Sequence, residues 1–227
     1  MSLGIEELIV VGAGGAAAEV VSYIAAVNRA ATVAWKIEGF LDADSTGFTS
    51  RAEKYRFPGR YLGTPDEHKY SERYSYVLAF SDARKKLALV ERLSIMGLKF
   101  PNVIHPTASI AETCLIGRGN IIGPHCVVGP AAVLGDFNLV TAYSFISHDA
   151  VVGSANFLST AGLSGASRVG NGSFLGIRST LLPGVAVGDH CTVQAGMVVD
   201  TDVPDHSTVF YRYKEKREII FRDGGIV

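Results

Sequence analysis

Residues 104–135 read IHPTASIAETCLIGRGNIIGPHCVVGPAAVLG, and an aliphatic side chain stands at every sixth position of this stretch. The spacing of six continues to Leu158, takes one step of five to Leu163, and then resumes as far as Val199. The series consists of Ile104, Ile110, Ile116, Ile122, Val128, Leu134, Val140, Ile146, Val152, Leu158, Leu163, Val169, Leu175, Leu181, Val187, Val193 and Val199. Helices repeat every 3.6 residues and ordinary strands every two, so a strict period of six predicts a parallel β-helix built of hexapeptides.

A second series indicates how many faces each coil of this β-helix has. Four residues after each aliphatic position, as far as residue 156, stands a small or amide side chain. Within that series Asn120, Asn138 and Asn156 recur every eighteen residues, which is three hexapeptides. Three faces per coil would stack these asparagines above one another in an amide ladder. The sequence therefore predicts a triangular prism of about five coils.

The residues before this region alternate between strand and helix patterns. The predicted elements are a strand at 8–12, a glycine-rich turn at 12–15, a helix at 16–28, a strand at 32–42, a strand at 74–80 and a helix after residue 82. We expect the polar stretch from Asp44 to about Arg60 to be a loop without a core of its own. Strands that alternate with helices imply a parallel sheet, here a small Rossmann-like βαβ unit.

Composition limits the class of protein. Of the 227 residues, 48% are hydrophobic and 19% are charged, and the formal net charge is −1. This balance fits a soluble globular protein and gives no electrostatic reason to expect nucleic acid or an anionic membrane as partner. No apolar run approaches the ~18–20 residues of a membrane-spanning helix, and Glu6 and Glu7 interrupt any signal-peptide pattern. Three cysteines without metal-ligand spacing favour a reduced, cytoplasmic protein with packed thiols.

His148 and Asp149 are the candidate catalytic pair. His148 follows the aliphatic Ile146 by two residues, so it is expected near a corner of the prism, pointing outward. A histidine is partly unprotonated near neutral pH and can act as a general base. Asp149 could accept from its other ring nitrogen, like the orienting acid of a triad. The alternative is a solvated corner histidine beside an unrelated acid.

Several motifs together resemble the sugar acetyltransferase family, which includes bacterial sialic-acid and nucleotide-activated amino-sugar N-acetyltransferases. They are VVGAGGAA at 10–17, FLDAD at 40–44, IHPTASI at 104–110, IIGPHCVVGPAAVLG at 121–135 and FLGIRSTLLPGVAVGDHCTV at 174–193. The resemblance extends over nearly the whole chain and preserves the order of its two parts.

The resemblance implies a left-handed parallel β-helix that forms a homotrimer. Acetyl-CoA, as the acyl donor, would lie between adjacent prisms without any metal, and a nucleotide-linked amino sugar would be held by the N-terminal domain. The implied domains are a Rossmann-like domain at 1–100 and a β-helix acyltransferase domain at 101–210. The tail at 211–227 is longer than is usual in the family, and its alternating pattern predicts a hairpin. The implied reaction is direct N-acetylation of the sugar amine, without an acyl-enzyme.

The same resemblance assigns site residues. His148 is the general base, Asp149 orients it, and the backbone N–H of Gly165 stabilises the oxyanion. The five-residue step before Gly165 explains a glycine there equally well, because it requires an unusual backbone. The implied acetyl-CoA contacts are Phe157, Gly165, Ile177 and Ala195. The implied substrate contacts are Gly14, Gly15, Ala16, Asp42, Ser81 and Thr141.

The glycine-rich turn and Asp42 also have a chemical interpretation of their own. Free N–H groups at a helix start favour a phosphate, and an acid at the end of the second strand can bind ribose hydroxyls. A merely tight strand-to-helix turn fits the glycines almost as well. The chain departs from the family at Ala16 and Phe157, where histidines are common, and at Thr141, where asparagine is common.

Three other functions compete with N-acetylation. O-acetylation of a sugar hydroxyl would use the same base. A non-catalytic nucleotide-sugar-binding trimer would use the prism only for assembly. A zinc-dependent hydro-lyase would need a close pair of outward histidines on adjacent coils, and the sequence predicts no such pair.

Overall fold

The computed structural model describes residues 5–30 and 34–211. The N-terminal part is a four-stranded parallel sheet with strand order β3-β2-β1-β4, flanked by helices. Its elements are β1 (Ile5–Val11), α1 (Gly15–Ala30), β2 (Ala34–Leu41), α2 (Ser45–Tyr55), β3 (Arg60–Tyr61), β4 (Ser75–Leu78) and α3 (Ala83–Ser94). The predicted βαβ unit is confirmed.

Both faces of the central strand β1 are buried, as expected for a parallel sheet covered by helices. Leu8 and Val10 pack in one cluster with the α1 face that carries Val20 and Ile24. Ile9 and Val11 pack in a second cluster on the opposite face, together with Leu89 and Leu93 of α3. The alternation along β1 therefore places α1 on one side of the sheet and α3 on the other.

The prediction that residues 44–60 form a loop without a core is wrong, because α2 lies within them. The Asp44 carboxylate caps this helix by accepting from the Gly47 N–H at 3.0 Å. Phe48 is buried on it, 5.9 Å from the Phe40 ring centroid. The helix was missed because Phe48 is its only buried residue, so the sequence carries almost no helical periodicity.

Eighteen two-residue strands form the β-helix, and they pair in three parallel sheets of five, seven and six strands. Their bounds are β5 (Val103–Ile104), β6 (Ser109–Ile110), β7 (Leu115–Ile116), β8 (Ile121–Ile122), β9 (Val127–Val128), β10 (Val133–Leu134), β11 (Leu139–Val140), β12 (Phe145–Ile146), β13 (Val151–Val152), β14 (Phe157–Leu158), β15 (Gly162–Leu163), β16 (Arg168–Val169), β17 (Phe174–Leu175), β18 (Thr180–Leu181), β19 (Ala186–Val187), β20 (Thr192–Val193), β21 (Val198–Val199) and β22 (Thr208–Val209). The predicted three-faced prism is confirmed, and five to seven strands stack on each face rather than about five.

The interior follows the two predicted series. From Ile122 to Val199 every aliphatic member is no more than 3% exposed. Asn120, Asn138 and Asn156 are fully buried, and the Asn138 Oδ1 accepts from the Asn156 N–H at 2.9 Å. The ladder is mainly side chain to backbone, with one amide pair at 3.0 Å between Asn138 and Asn120. Buried amides therefore satisfy the backbone from one coil to the next.

Beyond residue 116 the corners of the prism turn through one residue with a left-handed backbone, and most of these residues are not glycine. They are His125, Ala131, Phe137, Tyr143, Asp149, Ala155, Thr160, Ala166, Arg178, His190 and His206. In most regular corners the N–H of this residue donates to a carbonyl of the preceding coil, as from Tyr143 to Pro124 at 3.0 Å and from Asp149 to Pro130 at 3.0 Å. At His125 and Ala131 it donates to a threonine hydroxyl instead. The coil stacking itself therefore stabilises a conformation that costs energy in isolation.

One corner has three linking residues where its neighbours have four. We call residues 159–161 the short corner; they account for the five-residue step in the aliphatic series. The strands on both sides remain paired with the coils before and after, since Leu139 pairs with Phe157, and Phe145 with Gly162. The missing residue is thus absorbed entirely within the corner.

The N-terminal part sits on one face of the prism. Val103, Ile121 and Leu139, on the outer surface of the seven-stranded sheet, are buried in the same cluster as Val20 and Ile24 of α1. α1 therefore runs along this sheet and fixes its own N-terminus relative to the coils. The hairpin predicted for the tail lies almost wholly outside the described residues.

Candidate active site

His148 and Asp149 occupy one regular corner, at residues 147–150, which we call the catalytic corner. The His148 Nδ1 and the Asp149 Oδ2 are 2.8 Å apart, and both side chains are mostly exposed. A carboxylate can only accept, so Nδ1 carries the proton and leaves the lone pair of a neutral imidazole on Nε2. Asp149 adopts the left-handed conformation of the corner, which aspartate tolerates better than most residues. The predicted pair thus has the geometry of a base with its orienting acid.

Gly165 lies directly against the His148 ring. A Cβ added at Gly165 would be 2.6 Å from both Cε1 and Nε2 of that ring. Gly165 has no left-handed backbone; that conformation belongs to its neighbour Ala166 and, at the short corner, to Thr160. The five-residue step therefore does not explain this glycine, whereas the approach of the imidazole does. Within residues 5–30 and 34–211 nothing accepts from the Gly165 N–H.

The remaining predicted acetyl-CoA contacts lie on other parts of the prism. His148 and Gly165 belong to the catalytic edge, formed by residues 130–131, 148–149, 165–166 and 183–184. Ile177 and Ala195 belong to the short-corner edge, formed by residues 124–125, 142–143, 160, 177–178 and 195–196. The two edges are separated by the six-stranded sheet, so one chain alone does not bring all the predicted residues together.

Thr141 has a structural role at the short corner. Its Oγ1 accepts from the Thr160 N–H at 2.9 Å, in place of the carbonyl that a regular corner would provide. Its own carbonyl accepts from the Ser144 hydroxyl at 2.8 Å and from the Cys126 thiol at 3.0 Å. Burial raises the pKa of the Cys126 thiol to about 11, as expected for a packed and unreactive cysteine. From the sequence we predicted only a substrate-binding role for Thr141. The indication of its structural role was the five-residue step from Leu158 to Leu163, which lies further along the chain.

The glycine-rich turn is clamped by side chains from β2 and α2. Gly12 has φ +105°, and an added Cβ would lie 2.8 Å from the Ala79 carbonyl oxygen. The Asp42 carboxylate accepts from the Ala13 N–H at 2.6 Å, and the Arg51 Nε donates to the Ala13 carbonyl at 2.9 Å. Asp42 also lies 3.3 Å from the Arg51 guanidinium. The acid predicted to read a ribose is thus already engaged in holding the turn.

Gly14 and Gly15 differ from Gly12, because neither has packing that requires a glycine. A Cβ at Gly14 would have no atom within 4 Å, and one at Gly15 would meet only the Tyr55 hydroxyl at 4.0 Å. Gly14 precedes the 16-residue helix α1 and Gly15 is its first residue, and the free N–H groups of this first turn favour an anion. The space above this turn is open to a ligand.

A cleft of about 530 Å³ lies beside the turn, where the strands β1, β2 and β4 end. It is lined by residues that include Gly12, Asp42, Ser81, Lys85 and Arg92. Ligands of open parallel sheets bind at this kind of position, outside the carboxyl ends of the strands. Two of the predicted substrate residues, Asp42 and Ser81, are therefore brought together here. The basic pair Lys85 and Arg92 was not anticipated from the sequence.

Ala16 and Phe157, two of the departures from the family, pack at the same junction. Both are partly buried against the cluster that joins α1 to the seven-stranded sheet. The Phe157 ring lies 5.3 Å from the Phe174 ring on the next coil of that sheet. The N-terminus of α1 and an aromatic surface of the prism thus face the same space.

The prediction that no outward histidines pair on adjacent coils is wrong. The rings of His190 and His206 stack with centroids 5.0 Å apart and planes inclined by 14°. The spacing of sixteen residues hid this pair, because the last coil is shorter than eighteen. Ring nitrogens bind metals in the plane of the ring, so parallel rings do not converge on one ion. In the described part of the chain no group of three or more histidine, cysteine or acidic side chains could hold a metal.

No helix within the described ranges combines the length and the apolar character that crossing a bilayer requires.

Comparison with known proteins supports both parts of the fold. Residues 168–201 match the family model described as the hexapeptide repeat of succinyl-transferase. The acetyltransferase domain of PglB from Neisseria gonorrhoeae, solved in complex with acetyl coenzyme A, is 29% identical with a TM-score of 0.77, covering 90% of this chain and 96% of that one. PerB from Caulobacter crescentus, solved with CoA and GDP-perosamine, is 26% identical with a TM-score of 0.74, covering 92% and 95%.

WeeI from Acinetobacter baumannii, 19% identical with a TM-score of 0.57, shares the fold over 90% of this chain and 95% of its own. The PerB enzyme, named a GDP-perosamine N-acetyltransferase, has also been solved with one histidine replaced by alanine or by asparagine. The resemblance to hexapeptide-repeat acetyltransferases that the sequence predicts is thereby confirmed over about nine-tenths of the chain.

Proposed function

We propose that this chain is an acetyl-CoA-dependent acetyltransferase that N-acetylates a nucleotide-linked amino sugar by direct transfer. The observation that carries the proposal is the His148 ring, which is bonded through Nδ1 to Asp149 at 2.8 Å and packs with Nε2 against Gly165, whose N–H has no acceptor among the described residues. A base and an oxyanion donor thus stand side by side. The architecture shared with PglB and PerB supports acetyl-CoA and a sugar nucleotide as the two substrates.

The chemistry assigns one task to each residue. His148 Nε2 accepts a proton from the acceptor amine as the nitrogen forms a bond to the thioester carbonyl carbon. The Gly165 N–H donates to the carbonyl oxygen as it becomes negative. Asp149 holds the imidazole in the correct tautomer and stabilises the imidazolium. When the carbon–sulphur bond breaks, the imidazolium returns the proton to the leaving thiolate, so the base is regenerated.

We propose a homotrimer as the functional assembly. Between the catalytic edge and the short-corner edge, the six-stranded sheet exposes apolar side chains: Val127 is 46% exposed, Phe145 41% and Val198 55%. If three copies turn this sheet toward an axis parallel to the prism, the short-corner edge of one copy faces the catalytic edge of the next. Ile177 and Ala195 of one chain would then complete the site of His148 in its neighbour.

The acceptor would bind at the junction of the N-terminal part and the prism. The open turn at Gly14 and Gly15 offers N–H donors to a diphosphate. The adjacent cleft adds the Ser81 hydroxyl, while its two basic residues, Lys85 and Arg92, are paired with Asp82 and Asp66 on the cleft lining. The sugar would then extend from the start of α1 toward Ala16 and Phe157. Because these contacts depend on backbone and general charge, they support a sugar nucleotide as the acceptor class without selecting the sugar.

The test is thiol release from acetyl-CoA against a panel of UDP-, GDP- and dTDP-linked amino sugars. We expect turnover with one of them and a fall in kcat of about 10²–10⁴-fold in His148→Ala, which is the usual contribution of a general base. His206→Ala, a corner histidine on another edge, is the matched control and should retain the wild-type rate. Binding of acetyl-CoA without turnover of any amine would move the proposal to hydroxyl acceptors. Failure to bind CoA at all would contradict it.

A further inference from the structure

The short corner removes one particular position from the short-corner edge. The first residue of this edge is Pro124 in the first coil and Ala142 in the second. The third coil has no residue at this position, and the fourth and fifth have Ile177 and Ala195. The residue in the left-handed conformation is present in all five coils. What is missing is therefore the outermost residue of one corner, which leaves a recess between Ala142 and Ile177.

The hydrogen bonds around the recess show the same gap. Elsewhere on this edge the first corner carbonyl accepts from the next coil, as at Pro124 from Tyr143 (3.0 Å) and at Ile177 from Gly196 (2.8 Å). The Ala142 carbonyl has no donor among the described residues, because the Thr160 N–H turns to Thr141 instead. A backbone acceptor at the floor of the recess is thus open to water or to an N–H of a bound ligand.

The walls of the recess are largely apolar. Ile177 stands on the coil above, with 53% of its surface exposed. On one side the Phe157 ring packs against Phe174 at an angle of 48°, and on the other Phe145 lies over Gly162. The strands that carry Phe157 and Gly162 flank the short corner, so the recess opens between two aromatic side chains.

The recess is also at the height of the catalytic groups. Ala142 and His148 belong to one coil, and Thr160 and Gly165 to the next, since each pair is separated by a single strand. Rotation about an axis parallel to the prism does not change height. In the proposed trimer, the recess of one chain therefore faces His148 and Gly165 of its neighbour. A CoA arm that passes Ala195 and Ile177 would reach the recess at its thioester end, given ~4.8 Å between coils.

We propose that the short corner is the subsite for the acyl group and that it lets this chain transfer acyl groups longer than acetyl, such as propionyl and butyryl. This inference rests on the proposed function. The transfer is otherwise unchanged: the amine nitrogen forms a bond to the acyl carbon, the carbon–sulphur bond breaks, and the amine proton passes through His148 to the CoA thiolate. The extra methylenes occupy the space of the missing residue, between Phe157 and Ile177.

The experiment compares acetyl-, propionyl- and butyryl-CoA with the full chain, by calorimetric binding and by thiol release with the accepted amino sugar. We expect wild-type kcat/KM for butyryl-CoA within about tenfold of that for acetyl-CoA, since one methylene in a pocket changes this ratio by about 10–200-fold when it does not fit. An alanine inserted between Ser159 and Thr160 restores the sixth residue. It should depress butyryl transfer at least tenfold more than acetyl transfer.

Thr160→Tyr is the second variant, in case the insertion does not fold. Tyr143 and Phe137 demonstrate that aromatic residues occupy this left-handed position, and the larger ring fills the recess from the corner itself. It should shift selectivity toward acetyl-CoA in the same way. If the wild type transfers acetyl groups but transfers butyryl groups at less than 1% of that rate, the inference is overturned and the proposed function stands. Failure of every acyl-CoA to bind would overturn the proposed function instead.

Discussion

The catalytic corner and the short corner belong to consecutive coils, yet they use their side chains in opposite ways. At the catalytic corner the backbone completes its own hydrogen bonds, from Asp149 to Pro130 below and from Ala166 to the His148 carbonyl above. The imidazole and the carboxylate are therefore free for chemistry. At the short corner the Thr160 N–H donates to the Thr141 hydroxyl rather than to a backbone carbonyl. Side chains that complete the backbone stabilise the fold, and only those released from that task can react.

We expect the largest loss of stability when a buried side chain that hydrogen-bonds to several backbone groups is removed. Asn138→Ala leaves the Asn156 N–H and the Gly153 carbonyl without their partner, whereas the Asn120 Oδ1 keeps the Asn138 N–H as its donor. Because each unsatisfied buried group costs about 1–3 kcal/mol, we expect the free energy of unfolding to fall by about 3–4 kcal/mol in urea denaturation. The partly buried Asn171→Ala should cost less than half of that. Equal losses would mean that burial does not set the value of these amides.

Gly165→Ala tests the catalytic corner, where we expect activity rather than stability to change. The added Cβ displaces the His148 ring, and a misplacement of about 1 Å can reduce activity ~10²-fold. We expect a loss of that size in kcat, with the urea midpoint nearly unchanged, because no backbone bond is removed. In a His148→Ala background the same substitution should have no further effect on kcat. An additive loss would place the role of Gly165 outside its contact with the ring.

Lys86 is a buried basic side chain that makes no hydrogen bond or ion pair in the described part of the chain. It is 1% exposed, its Nζ lies 5.6 Å from the Phe80 ring centroid, and burial lowers its pKa to about 7. Between pH 7 and the ordinary lysine pKa the unfolded chain holds more protons, so stability rises with pH across that window. Lys86→Met should raise the free energy of unfolding by about 2 kcal/mol at pH 6.

The gain from Lys86→Met should shrink toward pH 9.5, where the wild-type ammonium is already neutral in the folded state. Thermal denaturation of both proteins at pH 6, 8 and 9.5 measures this difference directly. A gain that is constant with pH would show that packing, rather than the buried charge, separates the two proteins.

The smallest effect is expected at the short corner. Thr141→Val keeps the shape of the side chain but leaves the Thr160 N–H without its acceptor, at a cost of about 1 kcal/mol. The exposed Thr113 makes a comparable bond to the Ala131 N–H at 3.1 Å, where water can replace the hydroxyl. Thr113→Val should therefore change the urea midpoint by less than half as much. Identical effects would remove the distinction between the short corner and a regular one.

The prism could be predicted from the sequence because the same pattern repeats in every coil. Features that do not repeat gave no comparable signal. A period of six fixed the faces, the buried aliphatic series and the place of His148, because every coil repeats the same constraint. α2 carries a single buried residue and had no such signal. Asp42 accepts a hydrogen bond from the turn and pairs with Arg51, and no sequence period relates these residues. The His190–His206 stack could have been predicted only by counting the residues in the last coil, which is shorter than the others.

The short corner also has a consequence for how this architecture can change. Phe145 pairs with Gly162 seventeen residues later, and Gly162 pairs with Thr180 eighteen residues later, so the count is reset within one coil. In most folds a deletion inside a sheet moves every following side chain to the wrong face. Here the error is confined to a single corner. Gain and loss of single residues, as well as substitution, can therefore reshape the corners of the prism without disturbing the interior.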